Sequence, residues 1–139
     1  MINFVIGPPC AGKSTFIKST FPNATIIDLW DFQKNTVCNI VTILESYEKV
    51  KEALINAIKS DNSLIVLEHT LLRAERRAPY IEAIKEISNE PINCYVLKPT
   101  QKEYLKRCKA RNVHGSIEDF KMLEIPTKDE GFDKIYIIK

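Results

Sequence analysis

The segment from Gly7 to Thr15 holds the residue types best suited to binding phosphate. Its residues are, in order, Gly7, Pro8, Pro9, Cys10, Ala11, Gly12, Lys13, Ser14 and Thr15. They contain an uninterrupted GxxxxGKS motif, in which backbone N–H groups wrap a phosphate, Lys13 reaches the β/γ oxygens and Ser14 holds Mg²⁺. An apolar run precedes the motif and a helix-competent segment follows it, as the motif requires. The segment predicts that this protein binds ATP with Mg²⁺.

Acidic residues follow the second and third apolar runs of the chain. Asp28 and Asp31 come after the second run, and Glu68 comes directly after the third. Phosphoryl transfer needs a held metal and a carboxylate that orients or deprotonates the attacking hydroxyl. Asp28 and Asp31 are therefore alternative candidates for the general base, although Asp28 is equally suited to capping the next helix. Glu68 is the candidate carboxylate for Mg²⁺.

Polar and basic residues come next after the third run. We expect His69 to be a local hydrogen-bonding residue rather than a catalyst. Thr70 is suited either to bonding a phosphate-bound water or to capping a turn. A group of arginines follows at Arg73, Arg76 and Arg77.

A second basic cluster occupies the segment from Gln101 to Asn112. Its cations are Lys102, Lys106, Arg107, Lys109 and Arg111. Glu103 is almost the only acidic residue near enough to balance their charge. The apolar residues form one narrow stripe, so we expect one face of the helix to pack against the protein and the remaining surface to be positively charged. That pattern is typical of a lid that brings guanidinium groups over the β/γ-phosphates. We expect at least one of Arg107 and Arg111 to contact ATP phosphates and to take part in catalysis with Lys13.

The elements that must position these residues alternate between short apolar runs and longer segments of helical period. The predicted strands are Ile2–Ile6, Ala24–Ile27, Leu64–Leu67, Ile92–Leu97 and Lys134–Ile138, and the helical segments are Lys13–Phe21, a stretch ending at Lys59, Ala74–Ser88 and Gln101–Asn112. Strands that are apolar at consecutive positions are expected to be buried on both faces. The pattern predicts an α/β fold of the three-layer P-loop NTPase type, with about five parallel strands and helices on both faces.

The composition is that of an ordinary globular domain. The chain has 139 residues, 45% apolar and 27% charged, with a formal charge of +2, which is too small to indicate nucleic-acid binding by itself. We expect one domain over residues 1–139. The four cysteines lack zinc or redox spacing. With no leader-like or membrane-spanning run, a cytoplasmic protein is expected, and the oligomeric state is left open.

Four segments together resemble the kinase domain of polynucleotide 5′-hydroxyl kinases and their AAA_33-type relatives. They are the loop GPPCAGKST, the segment LEHTLLRAERR at 67–77, the helix EYLKRCKARN at 103–112 and the ending EIPTKDEGFDKIYII at 124–138. The resemblance spans almost the whole chain. Its more diagnostic parts are the spacing from Thr70 to Arg77 and the Pro126-Thr127 pair followed by Glu130-Gly131-Phe132.

The resemblance implies a kinase that passes the γ-phosphate of ATP to a hydroxyl. Arg111 would match a family arginine that stabilises the transferring phosphoryl group, and Pro126 and Thr127 would lie near the adenine. Relatives usually show Asn-Arg-Asp after the second strand, with that aspartate as base, whereas this chain reads Asp28-Leu29-Trp30-Asp31. Gln33 stands where some relatives have an arginine that grips substrate phosphate.

Three functions are therefore weighed. The first is a kinase for a nucleic-acid 5′-OH. The second is a kinase for a small hydroxyl compound, such as a nucleoside, sugar or metabolite, which Trp30 and the modest net charge favour. The third is a nucleotide-binding module without a true acceptor, which the missing Asn-Arg-Asp pattern keeps open.

Overall fold

The computed structural model describes residues 1–33, 39–60, 64–110 and 117–139. Its strands are β1 (Ile2–Ile6), β2 (Thr25–Asp28), β3 (Ile65–His69), β4 (Ile92–Leu97) and β5 (Lys134–Ile138). Its helices are α1 (Lys13–Thr20), α2 (Leu29–Gln33), α3 (Ile40–Lys59), α4 (Ala74–Ile87), α5 (Gln101–Ala110) and α6 (Ile117–Met122), with a 3₁₀ turn at Lys128–Glu130.

The strands form one parallel sheet in the order β2-β3-β1-β4-β5. Side chains alternate between its two faces. Phe4 and Leu67 pack into a cluster with α3 and α4, while Val5 and Val66 pack with Ile17 of α1 on the opposite face. The predicted three-layer α/β arrangement with five strands is confirmed.

The predicted burial of strands on both faces holds for only part of the sheet. Every residue of β1 and β3 is buried, and β4 is buried apart from Tyr95. In contrast, two of the four residues of β2 and three of the five residues of β5 are exposed, so the prediction is wrong for these two strands. They lie at the edges of the sheet, where helices cover less of the surface.

The helical segments differ from the prediction in two places. The stretch that ends at Lys59 contains two helices, α2 and α3, and α3 begins at Ile40, where the N-cap residue Asn39 forms a capping box with Thr42. The helix expected to end at residue 112 is described as far as Ala110, and its last two predicted residues lie outside the described part of the chain. The short helix α6 was not predicted. Among the described residues, none of these helices is long and apolar enough to cross a membrane.

Candidate active site

The loop between β1 and α1 has the backbone conformation that its glycines allow. Gly7 and Gly12 have positive φ values of 153° and 94°. A Cβ on Gly7 would lie 2.7 Å from the Leu97 carbonyl oxygen, so a side chain has no room there. Cys10, at φ 69°, is left-handed as well. The loop therefore curves tightly at the carboxyl edge of the sheet, where ligands of such folds bind.

Lys13 folds back onto this loop. Its Nζ donates to the carbonyl oxygens of Gly7 at 2.8 Å and Pro8 at 3.3 Å. Burial lowers the pKa of Lys13 to about 8, against the opposing charges of Glu68 and Asp28. An ammonium group with so few solvent contacts gains from an anion beside it, which a bound phosphate would supply.

Ser14 and Glu68 form the pair that is suited to a metal. The Ser14 hydroxyl donates to Oε1 of Glu68 at 2.7 Å. Burial, with a hydrogen bond from Asp28, raises the pKa of Glu68 to about 7, against the lowering effect of the Ser14 bond. Asp28 and Glu68 stand opposite each other in the β2–β3 ladder, which accounts for the closeness of the two carboxyl groups. A hydroxyl and a carboxylate are hard oxygen ligands of the kind that Mg²⁺ takes together with substrate phosphates.

Two cavities flank the loop and share Cys10, Ala11 and Gly12. The first, here called the donor-side cavity, has a volume of about 530 Å³. Its other lining residues are Thr15, Phe16, Leu97, Pro99, Arg107, Ala110, Ile138 and Lys139. The second, the acceptor-side cavity, measures about 400 Å³. Its other lining residues are Pro9, Lys13, Ser14, Asp28, Leu29, Trp30, Gln33, Glu68, His69 and Thr70.

The structure separates the two candidate bases. Asp28 lines the acceptor-side cavity beside Lys13 and accepts a hydrogen bond from the Trp30 N–H at 3.0 Å. That bond is the expected cap on the next helix, so Asp28 caps α2 and also faces the cavity. Asp31 is exposed in α2 and is not among the described residues that line either cavity. Trp30 has 61% of its surface exposed and forms part of the cavity wall.

Arg107 is the described arginine of the basic helix, and it contacts the loop. Its Nη1 donates to the Ala11 carbonyl oxygen at 2.7 Å, and its Nε lies 3.4 Å from a Glu103 carboxylate oxygen. A Cβ on Gly12 would come within 3.2 Å of Nη1, so the Arg107 guanidinium would have to shift slightly to admit a side chain there. Arg107 thus borders the donor-side cavity, and its contact with ATP phosphates stays a prediction. Arg111 lies outside the described residues.

The structure does not bring Pro126 and Thr127 to the loop. Neither residue lines the two cavities described above. Pro126 is buried, and the Thr127 N–H donates to Glu130 at 2.9 Å, because this segment caps the 3₁₀ turn that packs on α4. The chain end that reaches the donor-side cavity is instead Ile138 and Lys139, which sequence reasoning missed.

Arg77 ties that segment to the turn after β3. Its guanidinium is fully buried and forms a bidentate pair with Glu130 at 2.7 Å and 3.2 Å. It also donates to the Leu71 carbonyl oxygen at 2.8 Å. One residue earlier, the Thr70 carbonyl oxygen accepts the Gly7 N–H at 3.2 Å. The two more diagnostic stretches of sequence are therefore joined by one buried ion pair that supports the base of the loop.

His69 makes local hydrogen bonds, as expected. Its Nε2 lies 3.2 Å from the Tyr80 hydroxyl, which in turn donates to the Tyr47 carbonyl oxygen. The tautomer of His69 sets which of the two groups donates in this contact. Burial lowers the pKa of His69 to about 3, with a contribution from Lys13, and the ring is neutral at physiological pH. Its Nδ1 atom is buried without a partner in the described part of the chain.

Comparison with protein-family models and with curated protein sequences gives no match. Solved structures with a similar fold do exist. One chain of the Pnkp1/Rnl/Hen1 RNA repair complex matches with a TM-score of 0.74 and 18% identity, over 88% of this chain but 43% of that one. This chain thus spans less than half of that neighbour.

Two further structures match over most of both chains. A candidate kinase from Chloroflexus aurantiacus has a TM-score of 0.74 and 13% identity over 99% of this chain and 83% of its own. A sugar kinase from Janibacter sp. has a TM-score of 0.67 and 12% identity over 98% and 83%. The chain has the three-layer α/β P-loop fold that these proteins share.

Proposed function

We propose that this protein transfers the γ-phosphoryl group of ATP to a hydroxyl group, with a nucleic-acid 5′-OH as the leading acceptor. The observation that carries the proposal is the meeting of three groups between two cavities. Lys13 lies on the loop, the Ser14 hydroxyl bonds Glu68 at 2.7 Å, and Asp28 lines the acceptor side. A phosphate site, a metal site and a carboxylate in one place are what phosphoryl transfer needs.

ATP would occupy the donor-side cavity, with its phosphates on the loop from Gly7 to Thr15. The described cations that border this path are Lys13, Arg107 and Lys139. Ser14 and Glu68 would hold Mg²⁺, and their oxygens fit that ion, which takes few protein ligands when phosphates complete its shell. When bound, Mg²⁺ would neutralise charge on the transferring group.

Asp28 is the base that the geometry favours. The acceptor oxygen forms a new bond to the γ-phosphorus as the β–γ bridging P–O bond breaks, and ADP leaves with that bridging oxygen. The acceptor hydroxyl proton passes to the Asp28 carboxylate, which lines the acceptor-side cavity. Lys13, whose ammonium group is held at the loop by the Gly7 and Pro8 carbonyl oxygens, compensates the negative charge of the phosphates.

The acceptor class rests on the other walls of that cavity. Trp30 presents an exposed indole on which the base of a nucleic-acid end, or of a nucleoside, can stack. The likeness to a chain of an RNA repair complex agrees with a nucleic-acid acceptor. The second candidate is a small hydroxyl compound, because about 400 Å³ is a normal volume for a small-molecule site and Gln33 adds an amide rather than a cation.

The test measures ATP consumption with no acceptor, with 5′-OH oligonucleotides and with nucleosides or sugars. Stimulation by oligonucleotides with label transfer to the 5′ end supports the first candidate. Stimulation by small compounds alone supports the second. ATP turnover that no hydroxyl compound stimulates refutes the kinase and leaves a nucleotide-binding module. A steep fall of acceptor affinity with salt is a further mark of a polynucleotide.

A further inference from the structure

Two side chains of the short helix α2 line the acceptor-side cavity. They are Trp30 and Gln33, which are three residues apart and therefore lie on the same side of the helix. The Trp30 N–H donates to the Asp28 carboxylate at 3.0 Å, so the helix begins directly beside the proposed base. An acceptor whose hydroxyl reaches Asp28 can therefore contact both the indole and the amide.

A buried serine holds the Gln33 amide in one orientation. Ser46 of α3 is 2% exposed, and its Oγ donates to the Ile43 carbonyl oxygen at 2.7 Å. Two oxygens at that distance need a proton between them, and a carbonyl group has none, so the Ser46 proton lies in this contact. In the other contact of Ser46, Gln33 Nε2 is the donor, at 3.0 Å. The amide nitrogen of Gln33 thus points to α3, and its oxygen is turned away from Ser46.

Packing alone does not account for a serine at position 46. The other fully buried residues of α3 are Val50 and Leu54. A buried hydroxyl costs free energy unless it is hydrogen-bonded, and a serine that bonds back to its own helix stabilises that helix less than alanine does. What the Ser46 hydroxyl adds is a fixed orientation for the Gln33 amide.

An oriented amide oxygen distinguishes the polar groups on the edge of a base. It accepts a hydrogen bond from the amino group of adenine or cytosine, whereas it repels the carbonyl oxygen that uracil carries at the matching position. A carbonyl oxygen accepts up to two hydrogen bonds, so this contact is compatible with another on the same atom. The described charged residues that line the cavity are Lys13, Asp28 and Glu68, so Gln33 adds an uncharged contact.

We propose that α2 recognises the terminal base of the acceptor. Trp30 stacks on the face of the base, Gln33 accepts a hydrogen bond from an amino group on its edge, and Ser46 is the positioning residue that orients Gln33. The preferred acceptor is then a nucleoside whose base carries an amino group, either free or at the 5′ end of a strand. This inference rests on the proposed function and narrows its acceptor.

Fluorescence of Trp30 reports directly on this contact, because it is the single tryptophan of the chain. The titrations use two matched pairs, adenosine with inosine and cytidine with uridine, in which a carbonyl group replaces the amino group. A 5′-OH decanucleotide that begins with C is compared in the same way with one that begins with U. ADP is present throughout to occupy the donor side.

We expect the wild type to bind adenosine and cytidine about fivefold more tightly than their matched partners, which is the effect of one hydrogen bond. Gln33→Leu should erase this difference and Ser46→Ala should reduce it, while stacking still quenches the fluorescence in both variants. The matched control is Ser19→Ala, which should behave as wild type. Ser19 makes the same kind of bond, to the Phe16 carbonyl oxygen three residues earlier at 3.1 Å, away from the cavity.

The comparison of strand and nucleoside identifies the source of the base. Tighter binding of the strand with the same preference for C over U indicates a 5′ end, and equal or weaker binding indicates a free nucleoside. Equal affinity for both members of each pair in the wild type overturns base recognition. A preference that persists in Gln33→Leu, or fluorescence that no nucleoside or strand changes, overturns it as well.

These binding measurements do not depend on turnover, so the two proposals can fail separately. Phosphoryl transfer from ATP to nucleosides without any base preference in binding would overturn this inference and leave the kinase intact. A base preference that Gln33→Leu erases, without transfer to any acceptor, would overturn the kinase and support base recognition.

Discussion

The buried pair of Arg77 and Glu130 offers the sharpest test of how this fold supports its loop. In Arg77→Met a side chain of similar length replaces the guanidinium without its charge. Three hydrogen bonds are lost, two to Glu130 at 2.7 Å and 3.2 Å and one to the Leu71 carbonyl oxygen at 2.8 Å. Leu71 is left-handed at φ 38°, so the lost bond also frees a strained residue.

The expected loss of unfolding free energy in Arg77→Met is large for a chain of this size. Removing one partner of a buried ion pair costs about 3–5 kcal/mol. The Glu130 side chain is 15% exposed and keeps the Thr127 N–H as a donor, so it is partly rehydrated. We therefore expect the lower end, about 3 kcal/mol, which is a substantial share of a typical unfolding free energy of about 5–15 kcal/mol.

Urea unfolding of Arg77→Met, Glu130→Gln and the double variant measures the free energy that the ion pair contributes. The double variant should lose less than the sum of the single ones, because no unpaired charge stays behind. ATP affinity should fall as well, since the Thr70 carbonyl oxygen next to Leu71 holds Gly7. An Arg77→Met protein within about 1 kcal/mol of wild type would refute the reasoning, because surface substitutions cost that little.

Further tests address the loop and its acids. Lys13→Ala should lower kcat by about a hundredfold or more while circular dichroism and the melting temperature stay near wild type, and Lys18→Ala on the same helix should keep activity. Asp28→Asn should lower kcat by about 10²–10⁴, whereas Asp31→Asn should stay close to wild type; equal losses would count against Asp28 as base. Bound phosphate favours the charged form of Lys13, whose pKa in the free protein is about 8. The affinity for nucleotide without metal should therefore fall as the pH rises above 8, and this fall should be absent in Lys13→Ala. Glu68 has a pKa of about 7 and binds Mg²⁺ only when ionised, so the Mg²⁺-dependent gain in affinity should shrink as pH falls below 7.

The sequence predicts the fold where burial is uniform. The runs Ile2–Ile6 and Ile92–Leu97, which are apolar apart from Asn3 and Asn93, indicate strands that are covered on both faces, and the structure has both strands with those bounds. The same reasoning fails for β5, because an edge strand can be apolar and still exposed. The helix Ile117–Met122 was missed since so short a segment shows no helical period.

Some residues of the candidate site can be predicted from neighbouring sequence, and others depend on contacts between residues far apart in the chain. Lys13 and Ser14 follow from one motif, and Glu68 follows from its position after an apolar run. The burial of Arg77 does not follow, because its partner Glu130 is far away in sequence and an arginine on a helix is usually exposed. The preference for Asp28 over Asp31 as the proposed base likewise needs the structure, in which Asp28 lines the acceptor-side cavity opposite Glu68 and Asp31 is exposed on α2.

Carbonyl oxygens of the phosphate loop hold two cationic side chains, Lys13 and Arg107, beside the loop. When the N–H groups of such a loop point toward an anion, its carbonyl oxygens need hydrogen-bond donors from elsewhere. Lys13 supplies donors to the carbonyl oxygens of Gly7 and Pro8, and Arg107 supplies one to that of Ala11. Positive charge is thus held at both ends of the loop by the loop itself. Little reorganisation is then needed when phosphate binds, which is the condition under which fixed charges favour phosphoryl transfer most.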